Sequence, residues 1–363
     1  MTSNDIILAQ LGCGYWGPNL LRNFSAQPGC HVKWVADPVC QRRDFVTERF
    51  PRTSCTAEWQ TVLQDTQVQA VIVSTPATTH FELAEAFLQA GKDVFVEKPM
   101  AMAAAQADQL VTLAESVDRI LMVGHTFLYN PAVRYMKQLK DARAFGETFY
   151  LYCQRLNLGQ VRPDINAWWS LAPHDVSILL YLMDGELPAC VSCHGVDYIQ
   201  PGVEDVVFAT LKWDNGVSAH VHVSWLDPGK VRKVTLVGSR KMVVYDDVSA
   251  DKITILDKGV DILPRIGDRM DYDQPPIGRI IHRTGDTLIP KIEFVEPLYV
   301  EASHFIDCVR TRRVPLTGAR HGRDVVAVLE TGATSLRTGA PAQVSDRCTI
   351  GTNPALETKE VAA

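Results

Sequence analysis

The 363-residue chain has no apolar run near the roughly 20 residues needed to cross a bilayer as a helix. It has no basic excess either: 36 Lys and Arg against 42 Asp and Glu leave a net charge of −6, which argues against a nucleic-acid backbone or an anionic membrane as partner. Its first residues, Met1-Thr2-Ser3-Asn4-Asp5, lack a basic flank and meet a glycine loop after one short apolar run, so no signal peptide is expected. The nine cysteines are odd in number and scattered, which suits a reducing compartment, and a cytoplasmic location is expected. Cys190 and Cys193 are the only close pair, and no second CxxC follows. His220 and His222, two apart on one face of a strand, lack a spaced carboxylate or thiolate to complete a site, so no metal is expected. No internal repeat is visible.

What is present is a large apolar fraction, 46% of residues, in a length that suggests two domains. Ile6 to Leu11 read as a mostly buried strand, followed at once by Gly12-Cys13-Gly14-Tyr15-Trp16-Gly17 and by Leu20, Leu21 and Phe24 at helical spacing. A second strand, His31 to Ala36, ends at Asp37, 20 residues past Gly17. In this context Gly12 allows a tight turn, Gly14 lets backbone approach a pyrophosphate, and Gly17 lets helix pack on strand. Asp37 stands where a carboxylate accepts hydrogen bonds from an adenosine ribose and repels a 2′-phosphate, so NAD is expected over NADP. Ala70 to Ser74 form a continuous apolar strand, with Thr75-Pro76 opening the next loop and His80 closing it. Val94 to Val96 make another strand, and Glu97 and Lys98 are the first charges after it; Pro99 and the alanine-rich run behind it read as a helix start. Ile120 to Val123 close the series before His125, and for both His80 and His125 packing is the favoured reading. The alternation of strand and helix predicts a doubly wound parallel sheet over residues 1–127.

Beyond Phe127 the pattern changes. Tyr129-Asn130-Pro131 starts a helix, a polar stretch carries Arg155, Asn157 and Arg162, and Trp169-Ser170 lead into an apolar helix through Pro173-His174-Asp175. Valine-rich strands follow between Val206 and Leu256 and predict an antiparallel or mixed sheet. Pro264 to Pro290 read as a long connection, and two helices return after Tyr299. The second domain is expected over residues 128–340, with a tail at 341–363.

The fingerprint Gly12-x-Gly14-x-x-Gly17, the Glu97-Lys98-Pro99 segment and the motif around His174 resemble, in that order, the glucose–fructose oxidoreductase / inositol dehydrogenase / MocA-type (Gfo/Idh/MocA) family. The resemblance implies an N-terminal Rossmann domain, a C-terminal α+β domain with a large open, mostly antiparallel sheet, and NAD as cofactor. It implies Lys98 and His174 as the catalytic pair, flanking the reacting carbon. Oxidising a secondary alcohol removes a hydride and a proton; an ammonium stabilises the developing alkoxide, and an imidazole takes the proton near neutral pH. Cofactor contacts are expected from Gly12, Gly14, Tyr15, Trp16, Gly17, Asp37, Ser74, Thr75, Pro76, His80, Glu97 and Lys98. Substrate contacts are expected from Lys98, Tyr129, Asn130, Arg155, Asn157, Arg162, Trp169, Ser170, His174 and Asp175. Ser170 stands where the family commonly has aspartate, one helical turn before the histidine, so an Asp–His pair does not follow; Asp175 is expected to orient the site. The Arg155 to Asn166 segment looks like a subgroup linked to bacterial surface sugars. It implies a UDP-linked amino sugar, UDP-N-acetylglucosamine oxidised at C3, with a PLP-dependent aminotransferase acting on the product. The alternatives are oxidation or reduction of a free sugar or inositol, and a non-catalytic NAD-binding sensor or scaffold. Sheet-face contacts in the family imply a homodimer or homotetramer.

Overall fold

The computed structural model describes residues 5–159, 161–263 and 279–344. Six strands, β1 (Ile6–Leu11), β2 (Cys30–Ala36), β3 (Ser54–Thr56), β4 (Ala70–Val73), β5 (Asp93–Val96) and β6 (Leu121–Val123), form an all-parallel sheet in the order β3-β2-β1-β4-β5-β6. The crossovers carry helices α1 (Gly17–Ser25), α2 (Cys40–Arg49), α3 (Trp59–Gln64), α4 (His80–Gln89) and α5 (Ala104–Ser116). Every residue of β4 and β5 is buried, as strands covered on both faces require. The order reverses between β1 and β4, and a doubly wound sheet opens its ligand crevice at that reversal.

The helix expected from Pro99 starts instead at Ala104. The Lys98–Pro99 peptide is cis, the Pro99 carbonyl lies 2.7 Å from His80 Nδ1, and Met100 and Ala101 are wholly buried. A helix begun at Pro99 would need that carbonyl for the amide of residue 103, so burial and the His80 contact override the local alanine-rich propensity.

A second, nine-stranded sheet comprises β7 (Thr148–Leu158), β8 (Cys190–Val196), β9 (Val206–Lys212), β10 (Ser218–Ser224), β11 (Leu226–Gly238), β12 (Met242–Asp246), β13 (Ile253–Leu263), β14 (Arg279–Leu288) and β15 (Ala342–Gln343). Its order is β14-β13-β12-β11-β7-β10-β9-β8-β15, and only the β7–β10 pair is parallel. The segment read as one long connection therefore contains β14; residues 264–278 lie outside the described residues. β14 is an end strand, and end strands carry charge and glycine that discourage further pairing, so its composition imitates a loop.

Helices α6 (Pro131–Asp141), α7 (Ala167–Leu182), α8 (Pro297–Thr311) and α9 (Ala319–Thr338) complete the fold. Trp168 of α7 is fully buried, donates its indole N–H to the Leu329 carbonyl at 2.8 Å, and fills the space a side chain at Gly332 of α9 would take. α8 returns to the first sheet, where Phe305 packs edge-on against Phe24 and Phe95 with ring centroids 6.0 and 5.7 Å apart. The second sheet leaves Phe149, Tyr150 and Phe208 exposed, and Phe208 stacks on His222 at 4.1 Å. Among the described residues no helix is long and apolar enough to cross a membrane.

Candidate active site

The glycine loop shows why small residues stand there. Gly12 has φ +86°, and a Cβ on it would lie 2.7 Å from the Ser74 carbonyl oxygen. A Cβ on Gly17 would lie 2.9 Å from the Gly12 carbonyl, so Gly17 serves helix–strand packing behind the loop rather than lining the cleft. α1 has no side-chain cap at its start; Pro18 carries no N–H and the Asn19 amide donates to the Trp16 carbonyl at 3.0 Å, so the start offers a pyrophosphate the helix dipole and the amides of the loop ahead of Pro18. Asp37 closes β2 almost completely buried. Its carboxylate accepts from the amides of Cys13 at 2.7 Å and Val39 at 2.9 Å, with Arg42 at 3.3 Å. Those bonds lock the acid at the mouth where a ribose belongs, so this donor and acceptor set fits NAD. Gly12→Ala is expected to cost at least about 1–2 kcal/mol from its backbone conformation alone, and to abolish NAD binding, read by thermal unfolding and cofactor titration.

One cleft of about 1140 Å³ begins at this loop. Gly12, Gly14, Tyr15, Trp16 and Asp37 line one end, and Ser74, Thr75, Pro76, His80, Glu97 and Lys98 line its middle. His80 is otherwise committed: its second nitrogen, Nε2, lies 2.9 Å from the Thr75 carbonyl, so it ties the two loops together. The far end is lined by Asn130, Arg155, Asn157, Arg162, Trp169, Ser170 and His174. Lys98 Nζ donates to the Ser170 carbonyl at 3.1 Å. The residue that replaces the usual acid thus still holds the lysine, through its backbone.

Burial sets the charges. It pulls Lys98 down to about 8, opposed by Glu97 and reinforced by Arg155 and Arg162. It pushes Glu97 up to about 7, against the Lys98 ammonium, the Lys98 amide and a hydrogen bond from Trp16. It also drives His174 well below the usual imidazole range, with Lys98 and then Arg155 adding to the effect. His174 is therefore neutral at pH 7, the form that has a lone pair to take a proton, beside an ammonium that is still mostly charged.

Two expected substrate contacts stand elsewhere. Tyr129 is buried in the core, its hydroxyl 3.1 Å from Thr317 Oγ1, and does not line the cleft. Asp175 is fully buried behind it and grips Arg155 through two bonds, Nε to Oδ2 at 2.8 Å and Nη2 to Oδ1 at 2.9 Å. The reason is helical spacing: His174 lies on the cleft face of α7, and its neighbour about 100° around the helix faces the core. Asp175 reaches the cleft only through Arg155. The Arg155 guanidinium lies over the Phe127 ring at 4.5 Å, and that ring packs edge-on against His174 at 5.0 Å. Asn130 lines the cleft with its side chain already engaged, accepting from the Ala132 amide and donating to the Tyr245 hydroxyl, each at 2.9 Å. Tyr245 donates in turn to Asp247 at 2.9 Å, and Asp247 pairs with Arg232 at 3.3 Å. Arg232, Asp247 and Trp225 line the cleft and were missed from sequence. They arrive on β11, just past the end of β12 and between β10 and β11, strands whose composition signals only valine-rich alternation.

A dinucleotide crevice that opens onto a lysine–imidazole pair defines an NAD-dependent dehydrogenase acting on a CH–OH group. Residues 8–125 match the oxidoreductase family with an NAD-binding Rossmann fold, residues 133–244 match the GFO/IDH/MocA C-terminal domain, and the chain belongs to the Gfo/Idh/MocA oxidoreductase family. It is 25% identical over 359 residues to scyllo-inositol 2-dehydrogenase (NAD(+)) of Bacillus subtilis, covering 94% of this chain and 97% of that one. It is 27% identical over 303 residues to UDP-N-acetylglucosamine 3-dehydrogenase of Acidithiobacillus ferrooxidans, covering 83% and 93%. A solved levoglucosan dehydrogenase, in complex with NADH and levoglucosan, shares the fold at a TM-score of 0.79 and 18% identity, covering 94% of this chain and all of that one.

Proposed function

We propose that the chain oxidises a secondary hydroxyl of a nucleotide-linked sugar, C3 of a UDP-N-acetylhexosamine such as UDP-N-acetylglucosamine, to the 3-keto sugar. The observation that carries this reading is that Lys98 and His174 share their cleft with Asn157, Arg162 and Arg232. A free polyol needs no such cationic groups. The Arg162 and Arg232 side chains are 39% and 40% exposed, so each is able to exchange a carboxylate partner for diphosphate oxygens. NAD supplies the hydride acceptor. The Lys98 ammonium stabilises negative charge developing on the substrate oxygen and takes part in proton transfer, and His174 takes the hydroxyl proton. In reverse the same two groups reduce a ketone.

A panel of UDP-N-acetylglucosamine, UDP-glucose, myo-inositol and scyllo-inositol, read by NADH formation, tests this. UDP-N-acetylglucosamine is expected to lead in kcat/KM by at least about tenfold, or about 1.4 kcal/mol. Inositol ahead of both UDP-sugars overturns the proposal in favour of the second reading, which the inositol dehydrogenase relative supports. NAD binding with no turnover at all would point to a sensor or scaffold. The 3-keto product is a ketone suited to a PLP-dependent aminotransferase, which we propose as the next enzyme. We also propose that the open face bearing Tyr150 and Phe208 joins copies of the chain into a dimer or tetramer, to be read by sedimentation.

The pH profile follows from the charges. Lys98 must be protonated to stabilise an alkoxide, and its proton leaves at about 8. kcat/KM is therefore expected to fall as pH rises through about 8, and Lys98→Arg, whose guanidinium stays charged, is expected to remove that fall at whatever rate it retains.

A further inference from the structure

His125 is used by nothing described so far. It follows β6, is 1% exposed, does not line the cleft, and neither ring nitrogen has a hydrogen-bond partner. Two buried unpaired nitrogens on one ring are costly in a core otherwise well satisfied, and such an exception calls for a reason. His125 meets His321 of α9 edge-on, with ring centroids 5.3 Å apart. His321 is partly exposed, and its Nε2 lies 2.9 Å from Ser177 Oγ. Ser177 sits on α7 three residues after His174, so it shares that side of the helix. On the cleft side, His174 Nδ1 is also buried without a partner, and His125 is near enough to act on His174 electrostatically. His125, just past β6, and His174, Ser177 and His321 of α7 and α9 thus cluster between the cleft wall and a partly exposed residue of α9.

We propose that His125 and His321 are a proton outlet behind the active site, passing to solvent the proton that His174 takes from the substrate hydroxyl. This rests on the dehydrogenase reading of the site. A cleft filled by a dinucleotide and a sugar shields His174 from bulk water, while each alcohol oxidised releases one proton. The substrate O–H bond breaks, the hydride leaves with NAD, and the proton goes to His174. It then leaves from Nδ1 to one nitrogen of His125 while the other passes a proton to His321, with a water bridging any gap beyond direct reach. It ends on water or buffer, and no stable imidazolium is required on the way. The surroundings favour this passage over storage. Lys98 and His321 face His125. Lys98, Arg155 and Arg232 act on His174. The Glu97 carboxyl sits against Gly124, next to His125. Glu301 holds Thr126, the next residue along. Burial, and after it the cationic groups, keep both inner imidazoles neutral at rest, so a proton taken up by His174 is not stored there.

The test uses the NAD-loaded full chain and whichever panel sugar the wild type oxidises. His321→Gln is expected to lower kcat about tenfold, a modest part of the range for positioned proton transfer, with KM unchanged within about twofold. Imidazole in the buffer is expected to restore the rate, and the solvent isotope effect on kcat to grow. His125→Phe is expected to lower kcat by more, without imidazole rescue. Wild-type rates in both folded variants, or a loss in His321→Gln that imidazole does not repair, overturn the outlet. If His125→Phe does not fold, His321→Gln decides alone. Absence of turnover by the wild type on every sugar removes the substrate reading and the outlet together, whereas wild-type turnover with unaffected variants removes only the outlet.

Discussion

Replacing Lys98 with methionine is expected to lower kcat for alcohol oxidation about 10³-fold, the scale on which a preorganised charge at a developing oxyanion acts. NAD affinity is expected to stay within a few-fold, because the cofactor end is built from Gly12, Gly14 and Asp37. Methionine keeps the length and apolar body of the stem and removes only the amine. The Ser170 carbonyl loses its donor at 3.1 Å, and Glu97 loses the main charge that opposes its protonation. The carboxyl is therefore expected to titrate above its present value of about 7 in the variant. Single-turnover absorbance of NADH reads the rate, and cofactor titration reads the affinity. Substantial turnover with normal NAD binding would take the lysine out of the chemistry. His174→Asn is the companion variant, and an unchanged chemical step there would remove the imidazole from its role.

Asp175→Asn is expected to destabilise the fold by about 3–5 kcal/mol, the usual cost of stranding one member of a buried ion pair. The pair is bidentate, and its side chains are 7% and 1% exposed, so water cannot take over the Arg155 charge. Activity is expected to fall as well. Arg155 holds Phe127, and Phe127 holds His174, so a guanidinium that seeks a new partner disturbs the imidazole two contacts away. The unbalanced cation also lowers the affinity of Lys98 for its proton, so the alkaline limb of the pH profile should move below about 8. Replacing both residues, Arg155→Met with Asp175→Leu, is expected to recover most of the stability without the activity, because no charge is then left alone. Denaturant unfolding and pH profiles of the three variants separate the two effects. A single variant as stable as wild type would show that water reaches the pair.

The parts of the site that chemistry demands at fixed spacing were legible in sequence. Gly12, Gly14 and Asp37, read from backbone geometry at a strand end, line the cleft, as do Lys98 and His174, read from a motif order, whereas Gly17, also read as a cofactor contact, packs behind the loop. What failed did so for identifiable reasons. The start of α5 was misplaced because Met100 and Ala101 prefer a helix locally but are held in the core by contacts distant in sequence. Tyr129 and Asp175 were given to the substrate because a polar residue beside a site residue looks functional until the helix phase is known. β14 was read as a loop because an end strand and a loop share a composition. Arg232 and Asp247 were invisible because strands far along the chain deliver them, and nothing in a pattern of alternating valines marks which ends meet a cleft.

The aromatic triangle of Phe24, Phe95 and Phe305 has a consequence for biosynthesis. Two of its rings are made early and the third only after about 300 codons. A ribosome that has finished the nucleotide-binding half therefore holds an open seam of oily rings until α8 emerges. Early chain termination upstream of α8 would leave a product that a chaperone or protease should recognise by that seam.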